Sequence, residues 1–299
     1  MKVGTLIDKY LKYMEIIKSA SPLTIKSYSK DLQQALGPCK NDNLSPHNAQ
    51  TLLMEFTRKA QMSWADLAPS SRNRKAATLK SFFAYLYAEN LTSKNLGVLV
   101  QAPKVPKRIP HFISVDEVMA VLKTFDETTQ DRTEKTLFLL LYGCGLRVSE
   151  ACKIRWADFS DSSRSLRILG KGSKERLVIM PEGVGRRLAE IRSTDSGSTY
   201  IFGDSPMDPR KAYEIIRQRG LKAGLLKPLH PHALRHSFAT HLLSSGANLR
   251  TLQELLGHES LHATEKYTHL GVDQLARTLE SHHPFGNQRP GSSQLKKNR

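Results

Sequence analysis

In the segment HPHALRHSFATH, His232 and Arg235 lie three residues apart, so on a helix both side chains project from one face. Such a pair can grip one phosphate: the guanidinium offers a planar fork to two oxygens, and the imidazole donates to a third or exchanges a proton. GCGLRVSEA places Arg147 directly after a double-glycine turn and Glu150 one helical turn later. There the arginine can point into a cleft, and the carboxylate can hold the cleft's cations in place. Lys171 sits in a tight Gly-Lys-Gly turn and is a candidate proton donor. His258 follows Leu256-Gly257, a helix C-cap signature, and Tyr267 follows in EKYTH. Each feature alone has a plainer reading: a surface His and Arg, an ordinary i,i+3 ion pair, a mobile turn lysine, a core tyrosine.

The elements that must carry these residues fall into two parts. Residues 1–103 are expected to form a helical bundle, from four apolar stripes at helical spacing. The stripes are Leu6, Tyr10, Tyr13 and Ile17; Ile25, Tyr28, Leu32 and Leu36 after Ser21-Pro22; Ala49, Leu52, Leu53 and Phe56 after Ser45-Pro46; and Leu79, Phe82, Phe83 and Leu86. A basic stretch from Arg72 to Lys80 precedes the last stripe, and Arg72, Arg74 and Lys75 are candidate phosphate contacts. PKVPKRIP, with three prolines and three cations, reads as an extended basic linker over 104–110, which adds Lys104, Lys107 and Arg108 to the candidate phosphate contacts. A second domain over 111–285 opens on the capping box Ser114 to Glu117. Helices are expected over 134–142, 148–154, 209–223, 232–244 and 249–256, with short strands over 166–169 and 176–179 forming a hairpin. The fold class is thus mostly α with a small β-hairpin. Residues 286–299 read as a flexible basic tail.

Composition sets the class of partner. The formal charge of +17 is spread over both parts: 14 Lys and Arg against 7 Asp and Glu in residues 1–103, and 28 against 21 in residues 111–299. Two basic halves suit a polyanion contacted along both. Mean hydropathy is −0.42, and no apolar run approaches the roughly 20 residues of a membrane helix. Charges interleave the first apolar residues where a signal peptide would need an unbroken core, so a cytoplasmic protein is expected, on the nucleoid if the polyanion is chromosomal DNA. Cys39, Cys144 and Cys152 show no CxxC pair and read as buried thiols.

GLRVSE, GKGSKER, HPHALRHSFATHLL, LLGHES and KYTHL occur in this order in the second domain. Together they resemble the tyrosine recombinase (phage integrase) family, and the length, helical first domain, basic linker and HHP at His282 to Pro284 resemble its Xer branch. The resemblance implies a two-domain DNA clamp, a core-binding bundle followed by a catalytic domain. It implies that Arg147 and Arg235 bind the scissile phosphate, that His232 and His258 assist, that Lys171 protonates the leaving 5′ hydroxyl, that Tyr267 attacks, and that Glu150 orients the cations. It implies site-specific strand exchange that resolves chromosome or plasmid dimers without metal, nucleotide or other cofactor. The partners would be double-stranded DNA at a specific site, a second recombinase subunit in a tetrameric synapse, and a septal DNA translocase. Ala233, where a larger apolar residue is usual, and Cys144 inside the glycine turn depart from the family pattern without touching these roles. The segment holding Leu270, Leu275 and Leu279 is expected to dock on a neighbouring protomer.

Other classes fit less well. His232 and His236 are i,i+4 as metal ligands can be, but HExxH and an acidic ligand cluster are absent, as is the GxSxG of a serine hydrolase. An integrase of a mobile element and a non-catalytic DNA-binding protein are the remaining alternatives.

Overall fold

The computed structural model describes residues 1–45, 47–104, 112–126, 128–162, 164–170, 175–194, 197–256 and 269–286, with 129 and 269–274 described by backbone alone. The chain divides into two compact units, Met1–Arg108 and Ile109–Arg299.

The first unit is built from α1 (Val3–Ile16), α2 (Pro22–Leu36), α3 (Ala49–Ser63) and α4 (Pro69–Ala88). Ser21 caps α2 by accepting from the Thr24 N–H, with Pro22 at the position where a missing N–H costs nothing. The apolar stripes meet in one core around Tyr10, Leu32, Leu53, Leu79, Phe82 and Phe83. Ile17 departs from the expectation: α1 ends at Ile16, and Ile17 is exposed beyond it. The basic stretch 72–80 does not precede the fourth helix but lies on it.

That placement carries Lys75 inward. It is buried with Asp31 of α2, 3.2 Å from its Oδ1, and its ammonium lies 4.9 Å from the centre of the Trp64 ring. Arg74 forks onto the same carboxylate, and Thr78 donates to it. Lys75 is therefore a core cation and is corrected as a phosphate contact, because a buried carboxylate needs a buried partner.

The second unit surrounds α6 (Thr129–Gly143), whose last two turns bury Leu137, Phe138, Leu140, Leu141 and Tyr142. α5 (Val115–Leu122) begins on the expected Ser114–Glu117 capping box, with both reciprocal hydrogen bonds formed. After α6 come α7 (Val148–Ala151), a three-stranded antiparallel sheet of β1 (Phe159–Ser160), β2 (Ser165–Leu169) and β3 (Glu175–Ile179), then α8 (Glu182–Thr194), α9 (Pro209–Lys222), α10 (Pro231–Ser244), α11 (Leu249–Leu256) and α12 (His269–His282). The hairpin forms in the register Leu169↔Glu175 to Ser165↔Ile179. Strand β1 and helix α8 were not legible: β1 is two residues long, and Gly183 and Gly185 lower the helix propensity of α8. On α6, the absent side chain of Gly143 lets the two helices meet, for a Cβ there would sit 2.7 Å from Val184 Cγ2. The three cysteines are free and buried.

α9 is fastened to α6 by one buried cation. Arg219 donates to Glu134 Oε2 at 2.7 Å, to the Thr124 carbonyl at 2.7 Å and to both oxygens of Asp131, under the Phe125 ring. Its hydrogen bonds hold the Asp131 carboxyl down at about 2.

The end of the described chain packs in cis. Leu275 and Leu279 lie in the core of their own unit, as does His283, whose ring meets Tyr142, Phe238 and Phe285. Glu280 accepts from Arg164 at 2.9 Å and from the Glu182 N–H at the start of α8 at 2.8 Å. The expectation that this apolar stripe docks on a neighbouring protomer is corrected for Leu275 and Leu279, because α12 completes a core that the preceding helices leave open; the Leu270 side chain lies outside the described residues. Leu279→Ala should cost about 2–5 kcal/mol of stability in urea unfolding of the full chain. A change within about 0.5 kcal/mol would mean that the helix is not held in this core.

Candidate active site

The site is assembled by α7, β3 and α10, and begins with a turn. Gly145 takes φ +59°, in the left-handed region, so the chain leaving α6 reverses and presents Arg147 as the residue before α7. Of the two glycines in GCG, only Gly145 performs this bend; Gly143 belongs to the helix.

Glu150, at the third position of α7, reaches back to the start of its own helix. Its Oε2 accepts the Arg147 backbone N–H at 2.8 Å, and its Oε1 accepts from Arg147 Nη1 at 2.9 Å. Arg176, from β3, then closes on the same carboxylate with two parallel bonds, Nη1 to Oε1 and Nη2 to Oε2, each 2.8 Å. Burial by itself raises the Glu150 carboxyl, and the Arg176 hydrogen bonds and charge, with help from Arg147, reverse this and hold it below its ordinary value. Side-chain exposure grades along the chain: 10% for Arg176, 6% for Glu150 and 42% for Arg147. Arg147 is the end that faces outward.

Arg235 comes from α10, whose start is set by His230 accepting the Ala233 N–H at 3.0 Å and by Pro231 in the first turn. Its guanidinium donates through Nη1 to the Gly145 carbonyl and through Nη2 to the Leu256 carbonyl at 2.8 Å, the latter at the end of α11. Burial, and then the charges of Arg147 and Arg176 working against Glu150, push Arg235 down to about 10, so it stays protonated at neutral pH. Two guanidiniums thus share one carboxylate, and the third, Arg235, feels the charge of all three groups. Mutual repulsion of that kind is relieved by an anion, and a phosphate presents the oxygens that guanidinium forks match.

His232 is exposed on the first turn of α10, three residues before Arg235. His236 turns elsewhere and meets Phe112 edge-on. Lys171, His258 and Tyr267 lie outside the described residues, as do Lys107 and Arg108. The structure therefore brings together Arg147, Glu150 and Arg235, and adds Arg176, which sequence reasoning had placed only as strand. A signal existed: Arg176 is two residues before buried Val178 and opposite buried Ile168, so by strand alternation it points inward, where a cation needs a partner. In the first unit, Arg72 and Arg58 line a cavity of ≈ 590 Å³ with Trp64 and Gln101, Arg74 pairs with Asp31 while its side chain stays half-exposed, and Lys104 is exposed.

Comparison with known proteins decides the family. Residues 111–273 match the phage integrase family, and residues 7–90 match the phage integrase N-terminal SAM-like domain. A tyrosine recombinase XerC of Myxococcus xanthus is 35% identical, over 94% of this chain and 98% of the relative. A tyrosine recombinase XerD of Staphylococcus epidermidis is 32% identical, over 94% and 99%. The chain belongs to the tyrosine recombinases, in their Xer branch. Lambda integrase residues 75–356 bound to DNA share the fold, with a TM-score of 0.66 at 17% identity over 87% of this chain and 92% of that one. As a tyrosine recombinase, the chain is a DNA transesterase, and the guanidinium cluster lies within the segment that matches the integrase family.

Gly145→Ala tests whether the turn holds the cluster. A Cβ there would lie 2.6 Å from Phe238 Cδ1, and the left-handed backbone costs a non-glycine residue roughly 1–2 kcal/mol. The variant should melt lower and also cleave DNA more slowly at saturating substrate, since the carbonyl that fixes Arg235 must move. Unchanged melting and cleavage would show that the turn adapts without consequence.

Proposed function

We propose that this recombinase cuts and rejoins duplex DNA at a specific site through a 3′-phosphotyrosine on Tyr267, and that it resolves chromosome or plasmid dimers. The observation that carries the reading is that Arg147 and Arg176 close on one buried carboxylate beside Arg235, which itself holds the carbonyls of Gly145 and of Leu256, the residue before the segment bearing His258 and Tyr267.

The Tyr267 hydroxyl would attack the phosphorus as its proton leaves, and the bond to the 5′ oxygen would break as Lys171 protonates it. Arg147 and Arg235 would stabilise the charge that develops on the non-bridging oxygens, with His232 and His258 as hydrogen-bond and proton partners. Losing one such donor costs roughly 10²–10³ in rate. The phosphotyrosine keeps the energy of the broken bond, so the 5′ hydroxyl of a partner strand can reverse the step without nucleotide. Arg72, Arg74, Lys104, Lys107 and Arg108 would contact flanking phosphates. A lambda integrase tetramer bound to a Holliday junction shares the fold, with a TM-score of 0.65, which supports DNA and further recombinase subunits as partners. The same reading extends to a septal DNA translocase as the partner that licenses exchange. Action on chromosomal or plasmid DNA would place the protein on the nucleoid in the cytoplasm; among the described residues no helix is long and apolar enough to cross a membrane. The Xer relatives, matched at 32–35% identity over 94% of the chain, favour dimer resolution over the life cycle of a mobile element.

A suicide substrate nicked beside the scissile phosphate should trap the wild-type chain as a shifted band on a denaturing gel, whereas Tyr267→Phe should bind the same DNA and give no band. Trapping by the phenylalanine variant would assign the nucleophile to another residue. Cleavage should proceed undiminished in EDTA and without nucleotide, because guanidiniums occupy the place where a metal nuclease gathers carboxylates. Loss on chelation, restored by a divalent ion, would overturn that mechanism.

A further inference from the structure

We propose that Arg176 is a positioning residue of the active site, acting on the scissile phosphate through Glu150 and Arg147. The inference rests on the reading of Arg147 as a phosphate ligand.

Arg176 cannot be a free surface contact: its side chain is 10% exposed, and both terminal nitrogens are committed to Glu150 at 2.8 Å. Glu150 in turn spends one oxygen on the Arg147 backbone and the other on its guanidinium. A carboxylate held by only one guanidinium can rotate about its terminal torsion, since that torsion is soft. The parallel fork from Arg176 fixes the carboxylate plane, and so fixes the direction in which Arg147, the exposed end of the chain, presents its remaining N–H groups. Charge works in the same direction. With Arg176 present, Glu150 is neutralised from behind, so the charges of Arg147 and Arg235 are left for an incoming anion. Arg176 also sits at the second residue of β3, so the start of this strand is tied to α7 through the pair.

Arg176→Lys separates geometry from charge, because lysine keeps the cation and loses the fork. With a nicked half-site substrate at saturation, single-turnover covalent capture should fall about 10- to 100-fold, while the half-site Kd stays within about threefold of wild type, since a group misplaced by about 1 Å can cost 10²-fold in rate. Arg176→Met should fall at least as far. The double variant Glu150→Gln, Arg176→Lys should be no more than about threefold slower than its slower parent, as both changes break one chain. Capture by Arg176→Lys within threefold of wild type would overturn the proposal. So would additive losses in the double variant, or a loss of capture matched by equal losses of half-site binding and thermal stability, which is the pattern of a purely structural residue. Arg147→Ala is the control: if it captures DNA normally, the reading of Arg147 fails, whereas if it fails to capture while Arg176→Lys succeeds, only the present proposal falls.

Discussion

A carboxylate cannot be buried without compensation. The penalty is several kcal/mol even after the protein relaxes, and Glu150 meets it by drawing two guanidiniums and a backbone N–H onto its two oxygens. The rest of the site follows from that demand. α7 is only one turn long, so it has little stability of its own, and the bond from Glu150 back to Arg147 both starts the helix and aims the arginine. β3 is brought to α7 because the bidentate pair requires it. Arg235 enters from α10 into a region already rich in positive charge, and two backbone carbonyls hold it there against repulsion.

The surrounding fold makes that arrangement rigid where rigidity is needed. α6 is the common floor, buried along its last two turns, and it ends where Gly143 permits close packing and Gly145 permits reversal. Two other buried charges, Asp31 in the first unit and Arg219 in the second, do for the framework what Glu150 does for the site. Each is fully engaged by opposite charge, and each fastens helices distant in sequence. Asp31 joins α2 to α4, and Arg219 joins α9 to the start of α6.

What the sequence made legible follows from how local each signal is. The caps at Ser21 and Ser114 and the β2–β3 hairpin are decided by a few adjacent residues, and they formed as expected. Arg147, Glu150 and Arg235 stood out because glycine, arginine and histidine at turn and helix spacings have few ordinary uses together. Apart from the short β1 and the glycine-weakened α8, the misses were tertiary. Lys75 resembles a surface cation until Asp31 is placed opposite it, and Leu275 and Leu279 resemble an exposed stripe until the open core of their own unit is known. Arg176 looked like a strand residue because its partner lies 26 positions away on another element. Alternation along β3 pointed it inward, but only the packed fold names the carboxylate it meets.

The position of Arg235 has a consequence for how this site can be dissected. One of its nitrogens holds the Gly145 carbonyl, which shapes the turn before Arg147, and another holds the Leu256 carbonyl, after which the segment carrying His258 and Tyr267 begins. α12, into which that segment leads, is pinned in turn by Glu280 to Arg164 and to the start of α8. On the proposed mechanism, removing Arg235 would therefore withdraw a phosphate donor, loosen the Arg147 turn and release the end of α11 together. The loss would exceed that of a single transition-state donor, and it could not be divided among these roles by that substitution alone. On the same mechanism Arg147, half-exposed and anchored through Glu150 among the described residues, is the position where a loss of activity would report the phosphate contact most directly.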